Sequence, residues 1–173
     1  IRDSCNCICA RCAGYINNQQ RQEHTWLSKL QHWGYHPSIH DKIIKDNECN
    51  VTNKRRSDFL FATEKTFPYH VLVECDEMSH GGYDISCEMK RLQDIHNQLI
   101  ANTGSVKPIV VIRFNPDTPN DIDEELKFAL KEVFSGVVKL GDARGIIVHA
   151  LIGYGKTRKR QYNTDPITKR IKI

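Results

Sequence analysis

The stretch His70-Val71-Leu72-Val73-Glu74-Cys75-Asp76-Glu77 runs from an apolar strand pattern straight into acid. Short, apolar and bounded by breakers such as Pro68, it predicts a buried strand. Desolvating ionised carboxylates at the end of such a strand is costly unless a cation or hydrogen bonds compensate. Something must therefore offset Glu74 and Asp76, which alternation places on one face while Cys75 points to the other. Cys75 reads as a small buried core residue rather than a ligand.

Asp58-Phe59-Leu60-Phe61-Ala62 is a second short apolar segment, and a hairpin is the economical way to join the two across residues 63–69. The symmetric register sets Leu60 against Leu72 and Asp58 against Glu74. Facing residues hold their Cβ atoms about 5 Å apart, so Asp58, Glu74 and Asp76 are expected to cluster at one sheet end. Mutual repulsion there would raise their pKa values unless a divalent ion sat between them, and an all-oxygen site suits Mg²⁺ or Mn²⁺. His80, four residues beyond Asp76, is close enough to reach that ion, orient a water or act as a base. The plainer alternative makes Glu74 and Asp76 an exposed strand end and His80 part of a solvated loop.

The rest of the chain fills in an α/β frame. Trp26, Leu27, Leu30 and Trp33 recur at helical spacing before Gly34, and Ile85, Met89, Leu92, His96 and Leu99 do so over Ile85 to Asn102, with Asp84 as N-cap and Gly104 beyond. Ile109 to Phe114 is apolar enough for a central strand and is stopped by Asn115-Pro116-Asp117. A helix from about Asp121 to Gly136 and a strand from Ile146 to Ile152 follow. The order predicts an α/β sandwich around a mixed sheet of about four to five strands flanked by helices. At 173 residues the chain suits one domain, and no apolar run reaches the ~18–20 residues a membrane-spanning helix needs.

Composition divides the chain into a Cys-rich segment 1–20, a folded domain 21–153 and a basic tail 154–173. The seven cysteines fall as Cys5, Cys7, Cys9, Cys12, Cys49, Cys75 and Cys87. The odd count and tight clustering argue for a reducing, intracellular setting over a disulfide framework. Cys5, Cys7, Cys9 and Cys12 are candidate Zn²⁺ ligands, although no second cysteine pair follows. The tail holds seven basic residues against Asp165, while the whole chain carries only +4. Lys156, Arg158, Lys159 and Arg160 are thus candidates to track a phosphate backbone, the alternative being a solvated tail.

Arg55-Arg56-Ser57-Asp58-Phe59-Leu60, Val73 to His80, Tyr83, Glu88, Arg91 and Ile109 to Asp117 together resemble the PD-(D/E)xK nuclease superfamily, in the branch of very-short-patch repair endonucleases and EDxHD homing endonucleases. Val111 to Asp117 is also similar to endonuclease-like proteins of giant DNA viruses and algae. The resemblance spans roughly residues 23 to 118. It implies a restriction-endonuclease-like fold, with Asp58 as the motif aspartate after Ser57, where proline is commoner. Glu74 takes the acidic place, and Asp76 stands where many members have lysine. Glu74, Asp76 and His80 match the Glu-x-Asp-x-x-x-His pattern of that branch, with Glu23 as a candidate outlying acid. Arg91 is either a phosphate contact or one half of an ion pair with Glu88, worth a few tenths of a kcal/mol. Arg113 and Asn115 either touch substrate or close their strand, and Lys90 is either a displaced catalytic lysine or a solvent-facing one.

The resulting expectation is a Mg²⁺-dependent (or Mn²⁺-dependent) endonuclease acting on DNA inside a cell or virion, as a monomer or homodimer, with no small-molecule cofactor. The rival is a non-catalytic nucleic-acid-binding module with a zinc-bound cysteine cluster. A third reading is a domain that anchors to protein partners.

Overall fold

A computed structural model of the chain describes residues 22–43, 56–63, 66–77, 85–138, 140, 145–156 and 159. The chain divides into two units, Ile1–Tyr35 and His36–Ile173. In the first, helix α1 covers residues 22–32. The expected spacing holds: Trp26 and Leu30 are buried, and the Trp26 and Trp33 rings meet edge to face at 6.4 Å. Lys29 lays its ammonium 4.2 Å from the Trp26 ring centroid, a cation–π contact. The Cys-rich segment, with Cys5, Cys7, Cys9 and Cys12, lies outside the described residues.

The second unit contains β1 (Ile39–Ile43), β2 (Arg56–Phe61), β3 (His70–Cys75), α2 (Ile85–Thr103), β4 (Ile109–Phe114), α3 (Asp123–Phe134) and β5 (Ile146–Ile152). The strands form one sheet in the order β1-β2-β3-β4-β5. The first three are antiparallel, whereas β3 with β4 and β4 with β5 are parallel. Parallel neighbours need a long crossover, supplied here by α2 and by α3. The fold is thus the α/β mixed sheet expected, with five strands. The hairpin adopts the symmetric register, pairing Phe59 with Val73, Leu60 with Leu72 and Phe61 with Val71. Strand β1 was not expected. As an edge strand of sequence Ile-His-Asp-Lys-Ile it carries little of the apolar run or alternation that marks a strand.

Each helix covers one face. Leu60, Leu72, Ile109, Val111, Ile146 and Val148 pack with Met89, Leu92, Ile95 and Leu99 of α2. On the other face Phe61 meets Phe134 of α3 edge to face at 5.0 Å, and the Tyr69 hydroxyl donates to the Val133 carbonyl at 2.5 Å. In the β4–β5 ladder Val111 pairs with Val148 but Ile112 pairs with Ala150. His149 is therefore an extra residue, a bulge that reverses the inside–outside phase of β5 and returns Leu151 to the α2 face. Because β2 runs against β3, its start lies at the same sheet edge as the ends of β3, β4 and β5. That edge collects the residues of interest.

At the opposite edge His70 opens β3. Its Nδ1 accepts the Thr63 backbone N–H at 3.2 Å, and its buried Nε2 makes no hydrogen bond. Burial, reinforced by Lys107 and then His96, pushes the imidazole below its ordinary pKa of 6.5. A depressed base is protonated first in the unfolded chain, so this stability is present above pH 6.5 and lost as pH falls through the folded value. Urea unfolding at pH 7.5 and pH 5 should therefore show a smaller acid loss for His70→Gln than for wild type. Equal losses would mean that His70 does not contribute.

Candidate active site

The carboxylates that end β3 do not sit in water. Glu74 is 1% exposed and Asp76 is fully buried. What offsets them is arginine. The Arg113 guanidinium, projecting from β4 on the α2 face, donates through Nε to Asp76 Oδ2 at 2.5 Å and through its second terminal nitrogen to Asp76 Oδ1 at 2.7 Å. Its other terminal nitrogen donates to Glu88 Oε2 at 2.9 Å. The Tyr154 hydroxyl, just past β5, donates to Asp76 Oδ2. A planar fork between two carboxylates is the geometry that guanidinium favours over ammonium.

Arg91 of α2 makes the second pairing, donating to Glu74 Oε2 and, at 3.0 Å, to the Arg56 carbonyl at the start of β2. Burial and the nearby Arg113 act to lower the Arg91 pKa. The charge and hydrogen bond of Glu74, with the charge of Asp58, outweigh them and hold it above its ordinary value. Asp58 stands across the hairpin from Glu74, and its Oδ2 accepts the Cys75 N–H at 2.8 Å. The other Glu74 oxygen, Oε1, is buried and makes no hydrogen bond.

These contacts revise three expectations. Glu88 and Arg91 do not pair with each other: although three apart on one helix, each reaches a different strand. Arg113 is no surface phosphate contact, since it is fully buried and spans two carboxylates. The three-carboxylate cluster does not assemble, because Asp76 is turned to Arg113 and Tyr154. Among the described residues no three His, Cys, Asp or Glu side chains group as ligands for one metal ion.

Cys75 is buried as a core residue, Lys90 faces solvent, and Glu23 lies on α1 in the first unit. Asn115 caps the end of β4: its amide donates to the Gly153 carbonyl at 3.3 Å and its side-chain oxygen accepts the Asp117 N–H at 3.1 Å. Lys156 is exposed and Lys159 half-buried. His80, Arg158 and Arg160 lie outside the described residues. Sequence reasoning missed Tyr154, whose only signal was a tyrosine after glycine at a strand end.

Of the candidate metal ligands, Glu74 keeps one carboxylate oxygen, Oε1, without a hydrogen bond, and Asp58 stands on the facing strand with its Oδ2 on the Cys75 N–H. Asp76 does not fit, because both its oxygens receive guanidinium donors. Compared with family models, curated proteins and solved structures, the chain matches none.

Removing one side of a buried ion pair leaves a charge without a partner and typically costs about 3–5 kcal/mol. Arg113→Met should lower the unfolding free energy by about that amount in urea titration. Arg113→Lys should recover only part, since one ammonium cannot reproduce the fork between Asp76 and Glu88. Wild-type stability in both variants would show that Arg113 does not hold this edge together.

Proposed function

We propose that the chain is a divalent-cation-dependent endonuclease that hydrolyses DNA phosphodiester bonds, with Asp58 and Glu74 as the metal-holding pair. The observation that carries this reading is the buried Glu74 Oε1 without a hydrogen-bond donor. An unsatisfied carboxylate oxygen in the interior is a costly arrangement, and such an atom calls for a missing partner such as an ion. A bound Mg²⁺ or Mn²⁺ would polarise a phosphate oxygen and acidify a water.

The chain's own residues have separate tasks. Arg91 fixes Glu74 Oε2 and so orients Oε1. The Cys75 N–H fixes one oxygen of Asp58. Asp76, held by Arg113, serves to position the strand end rather than to coordinate. His80, four residues further along, is the base candidate: it would take a proton from the attacking water as the water oxygen bonds to phosphorus, and the sugar oxygen whose bond to phosphorus breaks would take a proton from solvent water. Lys156 and Lys159, with Arg158 and Arg160, supply the cations for the phosphate backbone, which set affinity more than sequence preference. The choice of DNA follows the resemblance to PD-(D/E)xK nucleases, which also supports the assignment of Asp58 and Glu74.

The non-catalytic nucleic-acid-binding alternative gains weight from the same ion pairs, because two arginines already compensate Asp76 and one oxygen of Glu74. Incubation of supercoiled plasmid with Mg²⁺ or Mn²⁺ separates the readings. Wild type should nick, while Asp58→Asn and Glu74→Gln should each lose at least about 100-fold in rate, the scale of a lost metal or oxyanion contact. Equal nicking by all three rejects the assignment. Salt-sensitive binding without cutting by wild type selects the alternative.

A further inference from the structure

The residue that closes the Asp76 network comes from the far end of the folded sequence. Tyr154 is 7% exposed, and its ring belongs to the apolar cluster under α2 while its hydroxyl donates to Asp76 Oδ2. Its placement is fixed from three sides. The β5 bulge at His149 sets the phase of the strand end. Gly153 then turns the chain at φ +73°, and a Cβ there would stand 2.9 Å from the Asn115 carbonyl oxygen, so no other residue fits without displacing backbone. The Asn115 N–H and side-chain amide bind the carbonyls of Ile152 and Gly153 at 2.9 and 3.3 Å.

Two consequences meet at this point. Upstream, Asp76 follows directly on β3: its N–H donates to the Phe114 carbonyl at 2.7 Å, next to the Cys75 N–H that holds Asp58. Whatever holds the Asp76 side chain therefore holds the backbone from which Glu74 projects. Downstream, Lys156 and Lys159 follow within five residues, and the Lys159 N–H donates to the Gly155 carbonyl at 3.1 Å. The basic segment thus begins at the sheet edge that carries Glu74 and Asp58.

We propose that Tyr154 is a positioning residue of the candidate site, locking the β3 end through Asp76 and setting Lys156 and Lys159 near the site's edge, where a nucleic-acid backbone would be gripped. The inference rests on the hydrolase reading. It assigns Tyr154 to the chemical step and the lysines to binding, two roles that separate kinetically.

The test uses the full chain, a fluorescently labelled DNA duplex and single-turnover cleavage with Mg²⁺ and enzyme in excess. Duplex binding is followed in parallel by anisotropy without divalent ions. Tyr154→Phe should lower the rate at saturating enzyme by about 10-fold or more, the scale of misplacing a catalytic group, while binding stays within about twofold. The Lys156→Ala/Lys159→Ala double variant should do the reverse, weakening binding severalfold and flattening its log–log salt dependence by about two, as two lost phosphate contacts require. A saturating rate is insensitive to partial unfolding, which lowers only the effective enzyme concentration, and near-UV circular dichroism reports the folded fraction independently. A Tyr154→Phe rate equal to wild type overturns the positioning role, as does a loss that appears only in binding. Wild type that binds the duplex and never cuts it overturns the hydrolase reading and this role with it.

Discussion

The edge of this sheet depends on Arg113. A guanidinium buried on an inner strand of an apolar layer is tolerable only with carboxylates in reach, and carboxylates at the end of β3 are tolerable only with a cation in reach. Asp76 and Glu88 meet that condition from a strand and a helix that the sequence holds apart. One fork of nitrogens thereby links β3, α2 and β4, and the Tyr154 hydroxyl adds the end of β5. The strands are not held together at this edge by backbone ladders alone: a charge network crosses them on the face that α2 covers.

That network gives the neighbouring Glu74 its character. Arg91 is raised above its ordinary pKa by Glu74 and Asp58 despite burial, so it remains a permanent cation bound to one Glu74 oxygen. The other oxygen is left buried without a donor. The two acids of β3 thus stand in different states within one turn of chain: Asp76 saturated with donors, Glu74 half supplied. Saturation suits a fixed post, and incomplete supply suits a place where something else binds.

Much of the fold was legible because it rests on short-range patterns. The apolar runs of β3 and β4, the helical spacing of α2 and the hairpin register all follow from periodicity, and the conflict of acid after apolar strand marked the important sheet edge. What periodicity could not reveal is which charge meets which. The spacing of Glu88 and Arg91 suggests a local pair, but a helix residue facing a sheet takes its partner from the strand beneath it, and the sheet supplies Arg113 to one and Glu74 to the other. Strand β1 was hidden because an edge strand needs no apolar run. Tyr154 was hidden because its relevance depends on a bulge and a left-handed glycine that carry no periodic signal.

The bulge at His149 ties the site to the length of β5 as much as to its composition. Side chains of a regular strand change sides with every residue, so a β5 of the same length that ran without its bulge would alternate throughout. Leu151 would then leave the α2 face, and the chain would enter Gly153 in the opposite phase, carrying Tyr154 away from Asp76. Deleting His149 itself would leave Ala150 and Leu151 opposite Ile112 and Arg113, so it is the extra residue and its bulge together that set the phase. At this edge the residue count of the strand and its bulge are matched to each other.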